Sequence, residues 1–415
     1  MSLVGSQQRT LIDLLAQLKP HWRRDRNLPA RIQTLLARNR SFGSRDRRLY
    51  RELIYTTLRF LPWIEDGLTT NAEQEIALIS WLAADSPATA HFRNETNAHW
   101  PACPADLADK AALLNGGLVG DMPSCGIRAF QPHDLLPEWL HLECPTAFEL
   151  HQLNALQRRA PLWLRLNATT FDEVTAEFDQ LGWRWQRSDV LPTALRLLDE
   201  VDVTRSTTFE KGYFEVQDLG SQLLLHSVGA SGSGKWLDAC AGAGGKTLQL
   251  ATLLTADARI DAFDIRPAAL AELSTRAKRA GVKNVTVLTH QPTGAYDAVF
   301  VDAPCSGSGT WRRAPHLKWV TTPAQISEAA KLQLSVLCGS SNRVRPGGRL
   351  IYATCSMNQS ENEAVIFKFL AAQPGFTVER PLVAFGGQTN DLGLTLLPAV
   401  HDNDGFFVSA LRRSE

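Results

Sequence analysis

The chain has 415 residues, 44% hydrophobic and 21% charged, and its 43 basic side chains balance its 43 acidic ones. That length exceeds one ordinary core and predicts two or three domains of a soluble globular protein. The totals argue against a membrane span, for which no run of roughly 18 apolar residues exists, and against a disulfide framework or structural zinc, because seven unevenly spaced cysteines form no CxxC pair or Cys/His cluster. A reducing, cytoplasmic setting without metal is expected, since the N-terminus also lacks an apolar signal-peptide core. The charge is uneven: residues 1–60 hold 13 Lys/Arg and 4 Asp/Glu, the remainder 30 and 39. A basic end on a neutral chain suits a phosphate-binding surface, and equally a solvated helical face.

In chain order, residues 6–82 read as helical. Leu11, Leu14, Leu15 and Leu18 share one face, as do Ile32, Leu35 and Leu36, and the segment Arg45–Leu61 continues with Leu49, Leu53, Ile54 and Leu58. Trp63 and Trp81 are expected to seal this bundle. Residues 84–133 carry Pro87, Pro101, Pro104, Gly116, Gly117, Gly120 and Pro123 and read as loops with short helices that close a first domain over 1–140. A small α+β module is expected over 145–212: a helix at Pro145–Arg159, a strand at Leu162–Asn167, a helix capped by Thr170 or Asp172 and running to Leu181, then strands around Leu195–Leu198 and Thr208–Phe214.

From 213 to 415 strand and helix alternate. Strands are expected at Trp236–Asp238, Arg259–Phe263, Val285–Leu288, Ala298–Val301, Arg349–Ala353 and Gly405–Leu411, and helices at Lys246–Thr255, Pro267–Ala280, Pro323–Val344 and Glu361–Ala371. This order predicts an α/β fold with a doubly wound, Rossmann-like sheet.

The turn from Asp238 through Ala239, Cys240, Ala241, Gly242, Ala243, Gly244, Gly245 and Lys246 to Thr247 follows a strand and opens a helix. Its glycines let backbone approach a ligand closely, and the helix start presents free N–H groups. Asp264 ends the next strand, where an acid can accept hydrogen bonds from ribose hydroxyls, and Arg266 follows it. Gly245-Lys246-Thr247 also matches the end of a phosphate-binding loop, but that loop needs a glycine where Cys240 stands. An NTPase is therefore disfavoured.

Cys305 in Asp302-Ala-Pro-Cys305 and Cys355 in Ala353-Thr-Cys-Ser356 each follow a buried-strand run, so both face the crevice beyond the strand ends. Core packing is the ordinary fate of a free cysteine, but two thiols and an acid beside a nucleoside site suit covalent chemistry on a pyrimidine. A thiolate adds to C6, C5 becomes nucleophilic, and after methyl transfer a base removes the C5 proton so the thiol can leave. Residue type leaves the order of the two thiols open. Lys246 can lower a thiol pKa or contact the base; solvation at a helix start is the competing reading.

These motifs resemble the Sun/Fmu-type RNA (cytosine-C5)-methyltransferases. The resemblance is carried by Phe214-Glu-Val-Gln-Asp-Leu-Gly-Ser-Gln222, Asp238–Thr247, Val301–Thr310 with Trp311-Arg-Arg313 and Lys318-Trp319, Arg345-Pro-Gly-Gly348, Ala353-Thr-Cys-Ser356, Glu361-Asn-Glu363 and Asp404-Gly-Phe-Phe407. It covers roughly 145–415 well and 1–140 weakly. It implies a class I methyltransferase domain, S-adenosylmethionine as cofactor, and cytosine in RNA as substrate, in ribosomal RNA before transfer RNA. It implies Cys355 as nucleophile, Cys305 as the group that assists proton removal and release, Asp302 on the cytosine edge and Lys246 near the base. Cofactor contacts are implied for the turn 238–246, Asp264, Arg266, His290 and Asp302. Gly43-Ser-Arg-Asp-Arg-Arg-Leu-Tyr-Arg-Glu-Leu53 with Thr57-Leu-Arg59 resembles the NusB-like RNA-binding domain of bacterial members, and Trp311-Arg-Arg313 is expected to offer stacking and phosphate contacts. A monomer is expected.

The chain departs from the family in three places. Gly242-Ala243 stand where Ala-Pro is usual in the glycine turn, His290 stands where an aspartate contacts adenine, and His316 stands where an acid is common. They keep a second reading open, an RNA-binding or ribosome-assembly protein with weakened cofactor affinity.

Overall fold

The leucines spaced three and four apart in the first sixty residues form a buried face. Leu11, Leu14, Leu15 and Leu18 are buried on the helix Leu3–Leu18, Ile32 and Leu36 on Leu28–Arg38, and Leu49, Leu53, Ile54 and Leu58 on Ser44–Arg59. This periodicity is what an amphipathic helix needs to bury one stripe. Trp63 and Trp81 are buried as expected, and their indole N–H groups donate to the carbonyls of Gln131 and Pro101. The computed structural model describes residues 2–65, 71–116 and 129–415. Gly117, Gly120 and Pro123 lie outside the described residues; on either side of them stand the short helices Ala90–Thr96, Leu107–Asn115 and Leu140–Glu143.

The chain divides into two units, one of Met1–Arg159 with Trp311–Thr322, the other of Ala160–Thr310 with Pro323–Glu415. The boundary thus falls after Arg159 rather than near residue 145. Helix Leu150–Gln157 belongs to the first unit because its buried face packs there: Asn154 caps Leu107 N–H at 2.8 Å and donates to Asp106 at 2.6 Å.

Trp311-Arg-Arg313 corrects an expectation. Trp311 and Arg312 are not surface contacts for RNA; they are 0% and 1% exposed. Trp311 meets Trp139 edge to face at 6.0 Å, and Arg312 donates to the carbonyl of Arg159 while its own carbonyl accepts from Arg59. Lys318 is equally buried, its ammonium donating to the carbonyls of Arg59 and Leu135 and to the amide oxygen of Gln157.

The second unit begins with an antiparallel sheet of β1 (Leu162–Leu166), β2 (Trp185–Arg187), β3 (Ala194–Leu197) and β4 (Phe214–Val216), ordered β2-β3-β1-β4. Helix Phe171–Gln180 covers it through Val174 and Phe178, which pack on Leu164, Leu195 and Phe214. Thr208–Phe214 is not one strand: Ser206 caps Phe209 N–H, opening the short helix Thr207–Glu210.

The large sheet holds β5 (Lys235–Asp238), β6 (Arg259–Ala262), β7 (Val285–Val287), β8 (Tyr296–Asp302), β9 (Val344–Thr354), β10 (Phe376–Glu379), β11 (Gln388–Asn390), β12 (Gly393–Leu396) and β13 (Phe406–Arg413). Its order is β11-β12-β13-β9-β8-β5-β6-β7, with β10 also on β13. The run β7-β6-β5-β8-β9 is parallel, and β13 is antiparallel to β9. Ala298, Val299, Phe300 and Val301 are all buried, as a strand covered on both faces requires. Connections leave β5 toward β6 on one side, while β8 pairs on the other. The carboxyl ends of β5 and β8 therefore flank the point where strand order reverses, the place such sheets bind ligands. Among the described residues no helix is long and apolar enough to cross a membrane.

Candidate active site

Asp238 ends β5 and the chain turns sharply into helix Gly245–Leu253. Gly242 and Gly244 hold φ of 53° and 90°, and a Cβ on Gly244 would lie 2.1 Å from Leu273 Cδ1. Only glycine permits that turn at that packing distance. Thr247 donates to Asp238 Oδ2 at 2.7 Å and locks the helix start to the strand end. Asp238 is 1% exposed, and burial pushes its carboxyl up to about 7.

Asp264 follows β6. Its carboxylate accepts from Gly242 N–H at 2.9 Å, from Arg266 N–H and Nε at 2.9 Å, and from Arg266 Nη2 at 3.0 Å. The Arg266 side chain holds this acid below the usual carboxylate range. A cavity of about 650 Å³ opens here. Ala239, Cys240, Asp264, Arg266, Asp302 and Cys305 line it, joined by Phe263, Ile265, Gln291 and Pro292 and by Leu332 and Val336 of helix Pro323–Ser341. Acids at one wall and apolar side chains at another suit a ligand with a flat ring and hydroxyl or cationic groups.

Not every expected residue lines this cavity. Asp238 is buried, and Ala241, Gly242, Ala243, Gly244 and Gly245 shape the turn without lining it. His290 is exposed, its ring 3.2 Å from the Gln291 carbonyl, and Gln291 and Pro292 stand in the lining instead. Helix Pro323–Ser341 was readable as a helix, but its contribution of Leu332 and Val336 to the wall follows only from the packing.

Cys305 and Cys355 are brought together. Their Sγ atoms are 3.3 Å apart and both remain thiols. Register explains the meeting, since Asp302 pairs with Ala353 in β8 and β9, so both chains leave the sheet at one level. Backbone bonds then lash the loops: Gly309 N–H donates to the Cys355 carbonyl and Gly405 N–H to the Gly309 carbonyl. A Cβ on Gly309 would lie 2.0 Å from the Gly405 oxygen, so glycine is required where the Asp404-Gly-Phe-Phe407 motif crosses.

Lys246 Nζ lies 2.8 Å from Asp302 Oδ2 and 5.5 Å above the Phe406 ring. Burial opposes its charge, but Asp302, Cys355 and Asp238 together raise it above the ordinary lysine value. The Cys305 thiol is raised well above its ordinary value, first by its hydrogen bond to Cys355 and then by burial. Sequence reasoning did not assign a role to Glu361, which lies buried between the two cysteine loops.

Strand order, glycine turn, second-strand acid and crevice define a class I, Rossmann-like methyltransferase fold. Residues 229–412 match the family described as 16S rRNA methyltransferase RsmB/F. The protein named ribosomal RNA small subunit methyltransferase B from Enterobacter sp. (strain 638) is 32% identical over 289 residues, 67% of this chain and 66% of that one. Its namesake from Photorhabdus laumondii is 31% identical over 295 residues, 68% of this chain and 67% of its own. The chain belongs to this Sun/Fmu, or RsmB/F, family. The match spans about two thirds of the length of these relatives. Among solved structures, PH0851 superimposes over the whole of both chains with TM-score 0.73 at 21% identity. A methyltransferase homologue from Pyrococcus horikoshii covers 64% of this chain and 90% of its own, with TM-score 0.55 at 25% identity. NSun6 from the same organism, solved with SFG, covers 67% and 98% with TM-score 0.60 at 20% identity.

Proposed function

We propose that the protein transfers a methyl group from S-adenosylmethionine to C5 of a cytosine in RNA, and specifically in ribosomal RNA. The observation that carries this reading is the pair of thiols in contact at 3.3 Å beside the Lys246–Asp302 ion pair. Family membership and the names of the relatives support an RNA substrate. The cavity fits the cofactor: Asp264 offers its carboxylate to a ribose diol, Ile265, 82% exposed, an apolar face to the adenine, and Asp302 a negative charge to the sulfonium end. When bound there, S-adenosylmethionine supplies an electrophilic methyl group.

The protein's own groups then divide the work. The Cys355 thiolate, favoured by Lys246, forms a bond to C6 and pushes electrons toward C5. Asp302, anchored by Lys246, holds the edge of the base. Once Cys355 has placed its charge in the bond to carbon, the hydrogen bond that kept the Cys305 proton is gone. Cys305, which lines the cavity, then gives its thiol proton to water there, its thiolate takes the C5 proton, and the electrons of the C5–H bond form the C5–C6 double bond as the Cys355–C6 bond breaks with its pair returning to sulfur. The base must be out of the stack for this addition, as for other enzymes that work on a base. The helical unit presents exposed Arg24, Arg38, Arg40, Arg45 and Arg48, which suit phosphate contacts.

The test uses small-subunit ribosomal RNA and S-adenosylmethionine labelled in its methyl group. Wild type should label a cytosine at C5; Cys305→Ala should accumulate a denaturant-stable protein–RNA adduct, and Cys355→Ala should show neither label nor adduct. An adduct with Cys355→Ala and none with Cys305→Ala reverses the two roles. No label, together with no cofactor binding by calorimetry, favours an RNA-binding protein on the same fold.

A further inference from the structure

Glu361 is 0% exposed in the 3-10 turn Gln359–Glu361 after β9. Its Oε1 accepts from Ser306 N–H at 2.8 Å and Gln333 Nε2 at 3.0 Å. Its Oε2 accepts from Ser306 Oγ at 2.5 Å, Ser356 Oγ at 2.6 Å and Asn358 Nδ2 at 2.8 Å. Ser306 and Ser356 are the residues next to the two cysteines. All five donors are neutral, and among the described residues no basic side chain pairs with Glu361. Burying a carboxylate is costly unless it is fully hydrogen-bonded; here the bonds satisfy it without cancelling its charge.

A tether alone would not need that charge. Ser306 and Ser356 hydroxyls can bond a neutral side chain, and Gly309 and Met357 already tie the loops through the Cys355 carbonyl and Ser308 Oγ. Glutamine of the same shape would set an NH2 donor against donors and lower the local negative charge. Glu361 takes two bonds from Ser306, next to Cys305, and one from Ser356, next to Cys355, and it stands among the groups that raise Cys305, after the hydrogen bond to Cys355, burial and the charge of Cys355.

We propose that Glu361 is a positioning residue that ties the two cysteine loops into one frame and, through its charge, decides which thiol attacks. The proposal rests on the reading of Cys355 as nucleophile, and it deepens that reading. Negative charge beside Cys305 keeps the proton there, which leaves Cys355 to carry the thiolate that Lys246 faces.

The experiment needs neither RNA nor cofactor. Iodoacetamide alkylation of the two thiols is followed by peptide mapping as a function of pH, with thermal melts to establish folding. In wild type the Cys355 peptide should react faster near neutral pH; a faster Cys305 overturns the reading of Cys355 as nucleophile rather than the role of Glu361. In Glu361→Gln the ratio of Cys355 to Cys305 rates should fall about tenfold, one pKa unit of selectivity. A ratio equal to wild type, with both rates changed together, overturns the proposal because a merely structural role predicts that result. Should Glu361→Gln not fold, Glu361→Asp withdraws the charge by one methylene and should lower the ratio severalfold; an unchanged ratio overturns the proposal there too.

Discussion

The Lys246 ammonium stands 2.8 Å from Asp302 Oδ2 with only 12% of its side chain exposed. One cation thus stands beside a carboxylate that faces the cavity and within electrostatic reach of a thiol that does not line it; in the proposed reaction, binding of a base and activation of sulfur share that single charge. The pair links the glycine turn after β5 to the strand end of β8.

Replacing Lys246 by Met should therefore weaken Cys355 as a nucleophile even without substrate. The expected outcome is about a tenfold slower alkylation of Cys355 at neutral pH and a midpoint moved to higher pH. Lys246→Arg should recover part of the effect. A midpoint unchanged in Lys246→Met would show that the counter-charge lies elsewhere.

Contact between Cys305 and Cys355 has a redox corollary. A disulfide needs the sulfurs at about 2.05 Å, and the two already stand 3.3 Å apart. Hydrogen peroxide should join them, two thiols giving up two protons and two electrons as the peroxide becomes two waters. Mass mapping should find the Cys305 and Cys355 peptides linked, with methyl transfer lost and regained on dithiothreitol. Cys240, pushed up to about 12 by burial and the surrounding acids, should stay reduced and serve as the internal control.

Much of this site is legible from residues alone, and the rest is not for definable reasons. Runs such as Val299-Phe-Val301 name β8, β9 is named the same way, and the glycine turn names the first strand–helix crossing. β11, with three exposed polar residues, carries no pattern of its own and forms only because β12 pairs with it. Trp311-Arg-Arg313 looks hydrophilic because its partners, Trp139, Arg159 and Arg59, lie more than 150 positions away. Glu361 belongs to a motif of the resemblance and opens an expected helix, but no role for it is legible until the loops around Ser306 and Ser356 converge on it. His290 stands one position from the residue that lines the cavity, within the error of any reading of a loop.

Asp238 should leave a signature in the pH dependence of stability. Its carboxyl titrates near 3.8 in the unfolded chain and about 7 in the fold, because of burial and of nearby Asp302. Between those values the folded state holds the extra proton, so stability falls as pH rises from 4 to 7 and levels above. Asp238→Asn, which still accepts from Thr247, should remove that fall, about 4 kcal/mol over the whole window and about 3 kcal/mol between pH 5 and 8. Thermal melts of both proteins at pH 5 and 8 measure it; parallel slopes would mean that Asp238 ionises freely.

Trp311–Thr322 imposes an order on synthesis. The helices of residues 3–157 leave the ribosome with the carbonyls of Arg59 and Leu135 and the amide of Gln157 waiting for the Lys318 ammonium. By the time residue 322 emerges, β5 to β8 are already outside. The helical unit is therefore completed late, by a peptide encoded inside the sequence of its neighbour. A gene cut after residue 159 would encode a domain lacking one of its own parts.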